Sequence, residues 1–94
     1  MNLAVDIVKH GNRNQTERFI RERLHNSIVS ACLSVRVPEG QAETIAHAVC
    51  DGVIIWLRQR PEVTSQDIRT VATRHLKSHH PEAAYLYEQH HMII

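Results

Sequence analysis

The chain has 94 residues, 43% of them hydrophobic and 22% charged, and a net charge of +1 when its eight histidines are neutral. These values fit a single globular domain that covers residues 1–94. The small net charge argues against a general nucleic-acid-binding domain, which carries a large excess of Lys and Arg. The sequence has no run of about 18 apolar residues and no signal-peptide layout at its start. We therefore expect a cytoplasmic protein without a membrane-spanning segment.

The predicted elements begin with a short β-hairpin. Residues 3–9 alternate in polarity as a strand does. Residues 11–15 have turn chemistry, and residues 16–19 are expected to return as a second strand. From Ile20 to Val35 the apolar residues recur with a helical period, which predicts the first helix.

Three further helices are predicted downstream. The Val-Pro-Glu-Gly segment at 37–40 interrupts the first helix, and a second is expected from Gln41 to Gln59. Its buried face is expected to consist of Ala42, Ile45, Ala46, Val49, Val53, Trp56 and Leu57. A third helix is predicted to begin at Thr64-Ser65-Gln66-Asp67, because a hydroxyl group can cap it and the carboxylate lies in its first turn. The apolar face of this helix is expected to consist of Ile68, Val71, Ala72 and Leu76. Pro81 suits the first position of a fourth helix. The predicted fold class is therefore α+β and mainly helical, with an N-terminal hairpin followed by four helices.

Cations are concentrated near the N-terminus. Five of the eleven Lys and Arg residues fall between positions 9 and 23, where only Glu17 and Glu22 oppose them. A strand, a turn and a helix start meet in this segment, and backbone N–H groups at a helix start attract anions. The pattern therefore predicts a site for a small phosphate-bearing ligand. The five residues are Lys9, Arg13, Arg18, Arg21 and Arg23.

Four short segments follow one another in a characteristic order along the chain: Val8-Lys9-His10-Gly11, Phe19 to Leu24, Thr64 to Ile68, and Ala84 to Tyr87. Their order and spacing resemble the ATP-cone, a nucleotide-binding regulatory domain of ribonucleotide reductase large subunits and of the repressor of ribonucleotide reductase genes. The resemblance covers nearly the whole chain. Ile20 stands where the family has an aspartate that caps its first helix, so that cap is lost or comes from another group.

The resemblance implies a regulatory module that binds ATP or dATP, with or without magnesium. The module would change its own oligomeric contacts, or those of a partner protein, according to the nucleotide. By the same resemblance Lys9 and Arg23 would hold the phosphates. His10 stands at the position of a family arginine and would be a weaker, pH-dependent cation.

The remaining residues of the implied site would contact the base and the sugar. Val8 and Leu24 would flank the base or the sugar, and Thr64, Ile68 and Arg69 would form the adenine end. An adenine ring needs apolar walls with one or two polar groups that orient it, and these residue types suit that need.

Two other functions remain open. A degenerate ATP-cone could act as a nucleotide-independent dimerisation module. Tyr85 and Tyr87 cannot both face the core of a helical domain, so one of them is expected to be exposed or at a contact. The third hypothesis is a small DNA-binding regulator with the third helix in the groove, which the charge balance disfavours.

Catalytic and metal chemistry are not expected. We find no nucleophile elbow, P-loop or acid–base pair, so the protein is not predicted to be an enzyme. His75 and His79 lie four residues apart on a predicted helix, but a zinc site needs three or four ligands. Cys32 and Cys50 are isolated within apolar helical patterns and are expected to be buried, reduced thiols. Trp56 is expected to anchor the core.

Overall fold

The computed structural model describes residues 2–9, 12–60 and 62–90, and this part of the chain forms three strands and four helices. The mainly helical α+β fold predicted from the sequence is confirmed. In chain order the elements are β1 (Asn2–Lys9), β2 (Asn12–Ile20), α1 (Arg21–Ser34), α2 (Glu39–Leu57), β3 (Glu62–Thr64), α3 (Ser65–His79) and α4 (Pro81–His90).

The hairpin is longer than the sequence predicted. β1 and β2 pair antiparallel, with Asn2 opposite Ile20 and Lys9 opposite Asn12. The prediction of a turn over residues 11–15 is therefore wrong for positions 12–15, which belong to β2. Asn, which occurs at positions 12 and 14, has low strand propensity, but pairing with a neighbouring strand overrides that weak local preference. His10 and Gly11 lie outside the described residues.

A third strand completes the sheet and was not predicted. β3 pairs in parallel with β1, so the strand order is β2-β1-β3 and β1 is central. A three-residue strand is too short to show an alternating pattern, so the sequence carries little signal for it. The predicted hairpin therefore supplies two of the three strands of the sheet. This sheet buries Ile7, Phe19 and Val63 against the helices.

The helices form the core with the apolar faces that their periodicity predicted. All four apolar residues predicted for the third helix are buried, as are those of the second helix apart from Trp56. Trp56 is only half-buried, with the Arg60 guanidinium 4.3 Å from its ring centroid, so it anchors the edge of the core rather than its centre. Tyr87 is buried and Tyr85 exposed, which confirms that the two side chains diverge.

The connection between α1 and α2 is a tight helix C-cap. Arg36 has φ +66°, and its N–H donates to Leu33 O at 3.0 Å, while the N–H of Val37 donates to Cys32 O at 3.0 Å. This pair of bonds is the Schellman arrangement, in which the left-handed position is usually glycine. Val37 is buried, as the motif's hydrophobic contact requires, and α2 then begins at Glu39, two residues before the predicted start.

Candidate functional site

The parallel pairing of β1 and β3 brings two distant parts of the sequence together. Val8 is aligned with Thr64 across the two strands, and both strands run towards the same edge of the sheet. β3 ends at Thr64, and α3 begins at Ser65. The backbone of Lys9, one residue beyond Val8, therefore lies at the edge where α3 begins. His10 lies outside the described residues, so the structure does not place it.

The start of α3 is closed by a capping box. Thr64 Oγ1 accepts a hydrogen bond from the Asp67 N–H at 3.0 Å, and Asp67 Oδ2 accepts one from the Thr64 N–H at 3.0 Å. The predicted cap is confirmed. A carboxylate at this position adds negative charge next to the helix N-terminus and repels a phosphate there. This end of the site therefore suits an uncharged base or sugar better than a phosphate.

Arg69 belongs to a seam between α1, α3 and α4, and Arg23 lies on the face of α1 that contributes to this seam. Arg23 is exposed and lies one turn before Ser27 on α1, so the two residues share a helix face. Although burial raises the pKa of the Tyr87 hydroxyl group on α4, the Ser27 hydroxyl group and the charge of Arg69 both lower it. Arg69 is half-buried, and its Nη1 donates to Gln66 Oε1 at 3.2 Å. Two cation-bearing helix faces thus approach one seam.

The Tyr87 hydroxyl group at this seam is held in its neutral form. Burial raises the pKa of Tyr87 to about 12, while the nearby Ser27 hydroxyl group and the charge of Arg69 act in the opposite direction. Ser27 Oγ donates to Leu24 O at 2.7 Å, and no described group reaches hydrogen-bonding geometry with Tyr87 Oη. The seam therefore holds a buried polar atom with unused hydrogen-bonding capacity.

Two of the predicted ligand-flanking residues lie in the core. The side chains of Leu24 and Ile68 are completely buried. In this conformation both stabilise the packing of α1 and α3 and present no surface to a ligand. Because their neighbours Arg23 and Arg69 are more exposed, a ligand approaching the seam would meet the cations first.

Arg21 is engaged in a polar cluster between α1 and α2 that the sequence did not predict. Arg21 Nη1 lies 3.0 Å from Asp51 Oδ1, and Arg21 Nη2 donates to His47 O at 3.3 Å. Next to it His25 Nε2 lies 2.6 Å from Glu43 Oε2. The i, i+4 spacing of His47 and Asp51 on α2 was the available signal. Because the Asp51 carboxylate compensates its charge, Arg21 is not expected to contribute to the predicted anion site.

The cysteines are buried and the described residues form no metal cluster. Cys32 and Cys50 are free thiols inside the core, as predicted, and burial raises the pKa of Cys50 to about 11. Across residues 2–9, 12–60 and 62–90, no group of three or more His, Cys, Asp or Glu side chains is arranged to hold a metal ion. Within the same ranges, no helix has the length and apolarity needed to cross a membrane.

Comparison of the chain with protein-family models, with curated proteins and with solved structures found no match. Inferences about function therefore depend on the residues themselves and on where the fold places them. The strongest candidate for a ligand-binding site is the edge of the sheet shared by Lys9 and Thr64, together with the seam beside Arg23 and Arg69.

Proposed function

We propose that the protein is a regulatory module that binds ATP or dATP in the manner of an ATP-cone. One observation carries the proposal: the parallel pairing of β1 with β3 aligns Val8 with Thr64, so Lys9 and the start of α3 share one edge of the sheet. These two segments are far apart in sequence, and the resemblance assigns one to the phosphates and the other to the adenine. A nucleotide carries both phosphates and a base and can therefore contact both segments, whereas a free phosphate can contact only one.

In this proposal the charges around the site determine the orientation in which the nucleotide binds. Asp67 makes the start of α3 unfavourable for phosphates, so the base and sugar belong beside Thr64. The phosphates then extend towards Lys9 and Arg23, with or without magnesium to offset part of their charge. Arg69 lies on α3, at the seam that it shares with Tyr87.

Regulation in this proposal follows from how α3 connects the site to α4. α3 starts at the site, and its other end joins α4 through a single residue, His80. A ligand that orders the first turn of α3 therefore acts on the packing of the α3–α4 pair. Nucleotide binding would reach the surface of α4 by this route.

The test is a thermal-shift measurement with ATP, dATP, ADP and GTP, each with and without magnesium. A ligand at a hundredfold excess over its Kd stabilises the folded state by about 2.7 kcal/mol. For a domain of this size that gain raises Tm by roughly 10–20 °C. Lys9→Ala and Arg23→Ala should each abolish the rise in Tm.

Arg58→Ala is the matched control, because Arg58 is an exposed cation at the C-terminal end of α2. This substitution removes the same charge and should leave the nucleotide-dependent rise intact. If no nucleotide raises the Tm of the wild-type protein, the proposal is wrong.

A further inference from the structure

The helices α3 and α4 leave an open groove of about 250 Å³ between them. α3 contributes two residues one turn apart, and α4 contributes four residues that share one face over two turns. Two hydrogen bonds stabilise the corner between the helices: His80 N–H donates to Leu76 O at 2.8 Å, and His80 Nδ1 accepts from the Ala83 N–H at 3.1 Å. The groove residues are Thr73, Lys77, Pro81, Ala84, Tyr85 and Glu88.

The groove combines an exposed aromatic ring with two charged groups. Tyr85 is 64% exposed, although it is a large aromatic residue. Lys77 and Glu88 are exposed, and neither forms an ion pair within the described part of the chain.

We propose that this groove is the contact surface of a symmetric homodimer, with a second copy of the chain as its occupant. A two-fold interface needs one patch that is complementary to itself. Here one patch carries both an exposed aromatic side chain and a groove, and both a positive and a negative group. In this dimer the Tyr85 ring of each copy enters the groove of the other copy.

The positions of the two charges fit the same symmetry. Lys77 comes shortly before the corner between the helices, and Glu88 lies seven residues beyond Pro81, or about 10 Å along α4. If two α4 helices cross antiparallel at Tyr85, the corner of one copy meets the far end of α4 in the other. Lys77 then faces Glu88 of the partner subunit, and this charge pair occurs twice in the dimer.

The dimer does not depend on the proposed nucleotide site, so it is tested without nucleotide. Sedimentation velocity of the wild-type protein at increasing concentration should show a monomer–dimer equilibrium. Tyr85→Ala should raise the dimer Kd at least ~10-fold, because a buried aromatic anchor is lost. Ile55→Ala is the matched control: Ile55 is also 64% exposed but lies on α2, so its loss should leave the Kd unchanged.

Charge reversal tests the predicted pairing directly. Lys77→Glu and Glu88→Lys should each weaken the dimer, because each variant places like charges in contact, and the double variant should restore the wild-type Kd. A protein that stays monomeric at every concentration overturns the proposal, as does a dimer that Tyr85→Ala leaves intact. Neither result changes the nucleotide-dependent rise in Tm, so the two proposals fail separately.

Discussion

The imidazole ring of His75 on α3 covers Gly52 on α2 so closely that a Cβ at position 52 would lie 2.6 Å from His75 Cε1. Glycine within a helix normally costs about 1 kcal/mol relative to alanine. Here the missing side chain allows the two helices to pack with an aromatic ring between them. The packing of α2 against α3 therefore requires glycine at position 52, although glycine lowers the helix propensity of α2.

Gly52→Ala should lower the free energy of unfolding by about 1–2 kcal/mol, because the clash with His75 outweighs the gain in helix propensity. Chemical denaturation measures this difference. In a His75→Ala background the same substitution should instead stabilise the protein by up to about 1 kcal/mol. Gly40→Ala is the control, since nothing lies within 4 Å of a Cβ at that position of α2. A loss of stability in the His75→Ala background would contradict the packing explanation.

Arg36→Gly should raise the free energy of unfolding by about 1 kcal/mol. Arg36 has φ +66° at the left-handed position of the α1 C-cap, which glycine adopts without steric cost. Arg36→Ala separates the backbone effect from the loss of the guanidinium group, because alanine keeps the Cβ and should give no gain. Thermal and urea unfolding of both variants test the prediction, and equal gains in the two would refute it.

The protein should lose stability at alkaline pH. Burial raises the pKa of Cys50 from 9.0 to about 11 and that of Tyr87 from 10.0 to about 12. Well below pH 9 both groups are neutral in the folded and in the unfolded state. As pH rises from there, the unfolded chain releases its protons first, so the free energy of unfolding falls until the pH passes the folded-state values. The loss is about 3 kcal/mol for each group, since one pKa unit corresponds to about 1.4 kcal/mol.

Tyr87→Phe isolates the contribution of one group to this pH profile. No described residue satisfies Tyr87 Oη, so removal of the hydroxyl group should cost little near neutral pH. The variant should then lose less stability than the wild type between pH 10 and pH 12. Parallel curves for the two proteins, measured by urea unfolding at each pH, would show that Tyr87 does not titrate as its burial predicts.

Arg21 and Arg23 should differ in function although they are two residues apart. Arg21→Ala removes the contact with Asp51 and should lower the free energy of unfolding by about 1 kcal/mol, without changing the nucleotide-dependent rise in Tm. Arg23→Ala should abolish that rise. Thermal shifts of both variants with and without ATP make the comparison. Loss of the rise in Arg21→Ala would place the phosphates at the α1–α2 cluster instead.

Most of the helical architecture could be predicted because it depends on local signals. The apolar spacing of α3 identified Ile68, Val71, Ala72 and Leu76, all of which are buried. The capping box could also be predicted from the sequence, since its two hydrogen bonds join Thr64 and Asp67, which are only three residues apart. Such features need no knowledge of distant contacts.

The candidate site was predictable only in part, for the opposite reason. Composition grouped Arg21 with Arg23, but only the packing of α1 on α2 shows that Arg21 faces Asp51. Leu24 and Ile68 were identified as apolar neighbours of the site, and their complete burial emerged only from the assembled core. The groove beside Tyr85 exists only between two packed helices, so no single segment encodes it.

The sequence by itself determined four amphipathic helices, the cap of α3 and two buried thiols, because helical period and capping depend on residues within a turn or two of one another. Only the tertiary structure decided the third strand, since the pairing of Val8 with Thr64 joins residues more than fifty positions apart. That long-range pairing also brings Lys9 to the start of α3. The proposed nucleotide site therefore depends on a contact that local sequence patterns do not contain.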